Sequence, residues 1–204
     1  GFHGILADDM GLGKTLQIIA LLLSAKQQND TLQVLIVCPA SVVLNWKAEM
    51  QRFAPALRVT ALSGGSDQRA QQIGQRAQVD VLVTSYDQLK RDIPLYEGAT
   101  FDFQVLDEAQ VIKNAHTLGA KAAKAIDALH RFALTGTPIE NRLSELWSIF
   151  DFLMPGYFFS YAKFRERYEL PAMKQQDQAA LAQVRRMAAP FMLRRMKSEV
   201  LTEL

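Results

Sequence analysis

Short runs of β-branched and apolar residues alternate along this chain with longer stretches of mixed apolar and polar character. The runs at Gly4 to Ala7, Val34 to Cys38, Arg58 to Leu62, Val79 to Thr84, Phe103 to Leu106 and Phe132 to Leu134 predict strands. Between them, Lys14 to Lys26, Val42 to Phe53, Ser66 to Gln78, His116 to Leu129 and Leu143 to Leu153 predict helices, each long enough for a right-handed crossover. Strand and helix in alternation give an α/β fold, a mainly parallel sheet covered by helices on both faces. The first helix is apolar on nearly every side through Ile18, Ile19, Ala20, Leu21, Leu22 and Leu23, which predicts that it is buried. At Pro155-Gly156 the character changes: β-rich runs cease, and polar helices broken at Pro171 and Pro190 follow. Residues 1–154 are therefore read as a sheet domain and residues 155–204 as a C-terminal helical protrusion.

Composition narrows this little further. With 204 residues, 49% hydrophobic and 22% charged, the chain is neither disordered, collagen-like nor disulfide-stapled. Twenty-three basic against 21 acidic residues leave a net charge of +2, so whole-chain electrostatics give no argument for a polyanionic partner. The balance is uneven, however, with nine Lys/Arg and five Asp/Glu from Pro155 onward. Arg185-Arg186 and Arg194-Arg195 fit either a solvated helical surface or a face turned to nucleic acid. The single cysteine, Cys38, lies in an apolar run and reads as a small core residue. The apolar stretch from Leu16 to Leu23 is far shorter than the roughly 18 residues of a membrane span, so no membrane partner is expected. A first residue that is Gly1, without a basic leader, suggests a piece of a longer cytoplasmic or nuclear protein.

The first candidate chemistry lies in Ala7-Asp8-Asp9-Met10-Gly11-Leu12-Gly13-Lys14-Thr15-Leu16, between a predicted strand and a predicted helix. That is the context of a phosphate-binding loop. Gly11 and Gly13 let backbone N–H groups turn inward around phosphate oxygens, Lys14 reaches the β- and γ-phosphates, and the Thr15 hydroxyl ligates Mg²⁺. Asp9, Met10, Gly11, Leu12, Gly13, Lys14, Thr15 and Leu16 are thus the expected ATP-binding residues. The strict spacing asks for glycine five residues before Gly13, where this chain has Asp8. A dinucleotide-binding turn is excluded by the missing third glycine.

The second motif is Phe103-Gln104-Val105-Leu106-Asp107-Glu108-Ala109-Gln110, a strand that delivers two carboxylates at its C-terminal end. Ligands sit at that end of open α/β sheets. Asp107 is expected to hold Mg²⁺ and Glu108 to orient and deprotonate the attacking water, which makes Lys14, Asp107 and Glu108 the candidate catalytic residues. His3, His116 and His130 are scattered singly and suggest no metal centre.

With these blocks in hand, the sequence resembles helicase superfamily two, and within it the Swi/Snf-type DNA translocase ATPases. Asp8 to Thr15 resembles motif I of that family, in which the leading aspartate is usual. Val37 to Trp46 resembles motif Ia, Thr84-Ser85-Tyr86-Asp87 motif Ib, and Leu134 to Asn141 motif III. Phe191 to Val200 is similar to the stretch with which the family leaves its first motor lobe. The resemblance implies the N-terminal RecA-like P-loop NTPase lobe of an ATP-dependent double-stranded DNA translocase, with ATP and Mg²⁺ as ligands. It implies backbone contacts to DNA through Ser41, Thr84 and Ser85, although the same residue types also make ordinary helix caps. Trp46 reads as core. Gln110 stands where many relatives have histidine, which leaves open how the carboxylates communicate with Thr135, Gly136 and Thr137 of motif III. Residues 157–187 would be the helical protrusion, with Phe158, Phe159, Tyr161, Phe164 and Tyr168 packed against the sheet domain. A second RecA-like lobe would supply arginine fingers, so residues 1–204 alone are expected to be nearly inactive and to bind nucleotide weakly. A non-motor P-loop ATPase module and a degenerate DNA-binding scaffold are the alternatives.

Overall fold

Seven strands form one sheet among the described residues of the computed structural model, which are 2–136, 143–174, 178–196 and 198. They are β1 (His3–Leu6), β2 (Val34–Cys38), β3 (Val59–Ala61), β4 (Val81–Ser85), β5 (Thr100–Leu106), β6 (Asp127–Leu134) and β7 (Met192–Leu193). Their spatial order is β3-β4-β2-β5-β6-β1-β7, and every neighbouring pair is parallel. The helices are α1 (Lys14–Gln28), α2 (Val43–Phe53), α3 (Ser66–Gly74), α4 (Tyr86–Asp92), α5 (Leu118–Ala125), α6 (Leu143–Leu153), α7 (Tyr161–Phe164), α8 (Leu170–Lys174) and α9 (Gln178–Ala188). No helix among the described residues is long and apolar enough to cross a membrane.

Both faces of the sheet are covered, which is why β2 and β4 are buried at every position. Val34, Ile36 and Cys38 point to one side, where they meet Ile18, Ile19 and Leu22 of α1 and Trp46 and Met50 of α2. Leu35 and Val37 point to the other, into a cluster with Leu89, Ala120, Ile149, Phe150 and Phe152. Phe158, Phe164, Tyr168 and Val184 belong to that second cluster, so residues beyond Pro155 share the core of the sheet. Phe159 is the exception among the expected packing aromatics, at 38% exposure and with a left-handed φ of 62°.

Several boundaries differ from expectation, each for a physical reason. The helix expected to run to Leu129 ends at Ala125, because Asp127 and Ala128 pair with Thr100 and Phe101 of β5. Ladder pairing there overrides a helix-favouring composition. The helix expected at Ser66 to Gln78 ends at Gly74, and a separate 3₁₀ turn covers Arg76–Gln78. Helix α4 was not expected; Ser85 starts it through a capping box with Gln88. Strands do not cease after Pro155, since Met192 and Leu193 pair with Ile5 and Leu6. Nor is α1 buried on all sides: Ile18, Ile19 and Leu22 are inside, whereas Leu16 is 46% exposed.

A parallel sheet places all its strand C-termini on one edge. Leu6 lies opposite Leu134, and Ala133 opposite Leu106. The ladder continues beyond the strands, with Thr135 N–H donating to Leu6 O at 2.9 Å and Asp107 N–H to Val37 O at 2.8 Å. The segments following β1, β6 and β5 therefore emerge side by side.

Candidate functional site

After β1 the chain turns through Asp9 to Gly13 and enters α1. Gly11 and Gly13 have φ of 85° and 80°, the left-handed region in which glycine carries no Cβ strain. Gly13 caps α1 without a side-chain hydrogen bond. The first-turn N–H groups have no partner within the helix, and with the helix dipole they form an anion site. Lys14 bends back over the turn, its Nζ donating to Asp8 O at 2.7 Å and Asp9 O at 3.2 Å.

Asp107 and Glu108 emerge two strands away. Asp107 is oriented by three groups: Trp46 Nε1 donates to Oδ2 at 2.8 Å, Glu108 N–H to Oδ1 at 2.9 Å, and Tyr86 Oη–H to its carbonyl at 2.8 Å. Burial pushes the Asp107 carboxyl above its ordinary range; the Trp46 and Glu108 hydrogen bonds oppose this, the Glu108 charge adds to it, and the Lys14 charge opposes it. The Lys14 charge thus reaches the Asp107 carboxyl from two strands away.

A half-buried carboxylate that its donors do not fully compensate suits a cation. Among the described residues no group of three or more His, Cys, Asp or Glu could hold a metal. Mg²⁺ does not need one, because it takes one or two carboxylates together with phosphate oxygens and water. Asp107 and the Thr15 hydroxyl are the fitting protein donors.

Glu108 has φ 49° and ψ 52°, a left-handed conformation rare outside glycine, and it begins the 3₁₀ turn Ala109–Ile112. Gln110 Nε2 donates to Glu108 Oε2, and Thr135 Oγ1 donates to Gln110 Oε1 at 2.9 Å. A carboxamide both donates and accepts, so Gln110 bridges Glu108 to Thr135 much as a neutral imidazole does. Gly136 follows Thr135 and packs on the phosphate loop; a Cβ there would come within 2.9 Å of Met10 Cγ and 3.8 Å of Lys14 Nζ. Thr137 lies outside the described residues.

The residues expected to meet DNA fare differently. Ser41 is exposed in the 3₁₀ turn Ala40–Val42 after β2. Thr84 and Ser85 are buried, at 0% and 4% exposure. Thr84 Oγ1 lies 3.4 Å from Gln88 Oε1, and Ser85 Oγ accepts from Gln88 N–H at 3.2 Å. The Ser85 hydroxyl starts α4, and that of Thr84 is turned to the same Gln88.

Four participants escaped the sequence reading. Trp46 is core, as expected, yet its indole N–H also holds Asp107. Tyr86 holds the Asp107 carbonyl, while Gln17 and Arg195 bind the Asp8 carboxylate. A cavity of about 820 Å³ lined by Lys113, His116, Lys124 and Trp147 shares no residue with this site. Its lysines Lys113 and Lys124 are paired with Glu145 and Asp151, so the convergent chemistry, not the cavity volume, marks the site. Trp46→Phe removes the donor to Asp107 and also replaces the buried indole with a smaller ring. Stability is expected to fall by about 1–3 kcal/mol, read as a lower urea midpoint at unchanged slope; an unchanged midpoint would show that the bond contributes nothing.

Residues 1–204 match the SNF2-related domain. The chain is 40% identical over 99% of its length to the TATA-binding protein-associated factor MOT1 of Saccharomyces cerevisiae. It is 43% identical over 98% of its length to the putative ATP-dependent helicase/translocase YwqA of Bacillus subtilis. It spans only 12% and 22% of those two proteins. The SWI2/SNF2 ATPase core of Sulfolobus solfataricus in complex with dsDNA superposes with a TM-score of 0.89 at 42% identity, covering 97% of this chain and 41% of that one. The same core in a second structure superposes with a TM-score of 0.85. The parallel, helix-covered sheet is thus the RecA-like fold of that core, and the chain belongs to the SNF2-related domain family.

Proposed function

We propose that this chain is the ATP-binding lobe of a double-stranded-DNA-dependent ATPase motor. One observation carries the reading: the register of β1, β6 and β5 brings Lys14, Thr135 and Asp107 to one sheet edge, with Gln110 bridging Glu108 to Thr135. In this reading the N-terminus of α1 and Lys14 bind the triphosphate. Thr15 and Asp107 would hold Mg²⁺, which would supply neutralisation of phosphate charge. Glu108 accepts a proton from the attacking water. Gln110 transmits the position of Glu108 to Thr135 and Gly136. Ser41, exposed after β2, is a candidate for a DNA phosphate contact, beside Thr84 and Ser85. A second RecA-like lobe faces the open side of the loop.

The experiment is the ATPase rate of the full-length protein with and without duplex DNA. Stimulation by duplex of any sequence is expected, and Lys14→Ala should lower kcat/KM at least about a hundredfold. A rate indifferent to DNA would overturn the motor reading. It would leave a non-motor P-loop ATPase.

A further inference from the structure

Asp8 occupies the position where the phosphate-loop spacing asks for glycine, and its side chain is fully buried. The carboxylate lies under the loop and is met there by Arg195, 187 residues further along the chain. Arg195 N–H donates to Asp8 Oδ1 at 2.8 Å, and its Nε donates to Oδ2 at 3.2 Å, with Nη2 on the same oxygen. Backbone bonds fix the two segments together: Ala7 N–H donates to Leu193 O at 2.8 Å and Asp9 N–H to Arg195 O at 3.1 Å. Gln17 Nε2, at 3.3 Å, is a neutral donor to Asp8 Oδ2. Among the described residues the other cation bonded to residue 8 is Lys14, through the Asp8 carbonyl.

This arrangement resolves an electrostatic conflict. A buried carboxylate beside a triphosphate site repels the ligand and competes for its lysine unless a cation cancels it. Burial raises the proton affinity of Asp8, but the hydrogen bonds from Arg195 and Gln17 and the Arg195 charge outweigh it, and the group stays a carboxylate. We propose that Arg195 is a positioning residue of the nucleotide site: by neutralising Asp8 it keeps Lys14 available to phosphate oxygens. The inference rests on the nucleotide-binding reading above and adds a residue that acts through Asp8.

The test uses the full-length protein, with mant-ATP binding measured without DNA and KM and kcat measured with duplex. Arg195→Gln leaves the Asp8 charge unpaired, so Kd and KM are expected to rise about tenfold while kcat at saturating ATP stays within about threefold. Asp8→Asn leaves Arg195 unpaired, but this guanidinium is 44% exposed and water solvates it. That variant, the double variant Asp8→Asn/Arg195→Gln and the conservative Arg195→Lys should each bind within about threefold of wild type. A double variant as weak as Arg195→Gln, or Arg195→Gln within twofold of wild type, would overturn the proposal. If Arg195→Gln does not fold, a tenfold loss in Asp8→Asn overturns it equally, because the carboxylate would then itself be required. A wild-type protein that fails to bind mant-ATP would instead remove the underlying reading.

Discussion

Glu108→Gln is expected to slow DNA-stimulated ATP hydrolysis by the full-length protein about 10²–10⁴-fold, the contribution of a positioned general base. Nucleotide binding should stay within about threefold of wild type, because no phosphate-binding group is removed. The substitution is a clean one in this site. Gln110 Nε2, which donates to the Glu108 carboxylate, finds an oxygen on the new amide as well, and the link to Thr135 is retained. What disappears is the capacity to take a proton. The measurement is steady-state hydrolysis beside equilibrium binding of a fluorescent nucleotide. A variant within tenfold of the wild-type rate, or one that loses binding and turnover together, would remove Glu108 from the role of base.

Residues 1–204 expressed alone are expected to hydrolyse ATP about 10³–10⁵-fold more slowly than the full-length protein, the usual contribution of an arginine finger supplied from outside a P-loop lobe. The geometry makes this expectation specific. Met10 is 69% exposed, and Gly11 and Gly13 are exposed as well, so the loop is open to solvent on the side away from the sheet. Charge developing on the γ-phosphoryl group would meet Lys14 on one side and water on the other. Circular dichroism and a thermal melt establish that the piece is folded, and the ATPase assay with duplex DNA then decides. Turnover equal to that of the intact protein would mean that residues 1–204 provide all the charge stabilisation the reaction needs.

Sequence patterning made the middle of the sheet legible for a simple reason. Strands such as β2 and β4 are buried on both faces, so they read as unbroken apolar runs between polar stretches. The start of β6 was hidden, because Asp127 and Ala128 carry no strand signature and are extended only by pairing with β5. A two-residue strand such as β7 has too few positions for a period to show.

At the site, Lys14, Thr15, Asp107 and Glu108 are legible as candidates because each lies in a local pattern with its own chemical logic. Their supports lie far off in sequence: Trp46 is 61 residues from Asp107, and Arg195 is 187 from Asp8. No local pattern announces such contacts. Ser85 shows how one residue type carries two readings, since a hydroxyl that suits a phosphate contact also caps a helix, here α4.

The pairing of β7 with β1 also bears on synthesis. On the ribosome, β1 and its phosphate loop emerge before the rest of this lobe, but the edge that completes them is made only when Met192 to Arg195 has left the exit tunnel. Until then β1 carries an uncovered edge and Asp8 an unneutralised charge, a state open to wrong strand partners. Residues made early in this lobe are thus among the last of it to reach their native surroundings, and slow release of residues 192–195 would lengthen the interval in which the nascent lobe needs a chaperone.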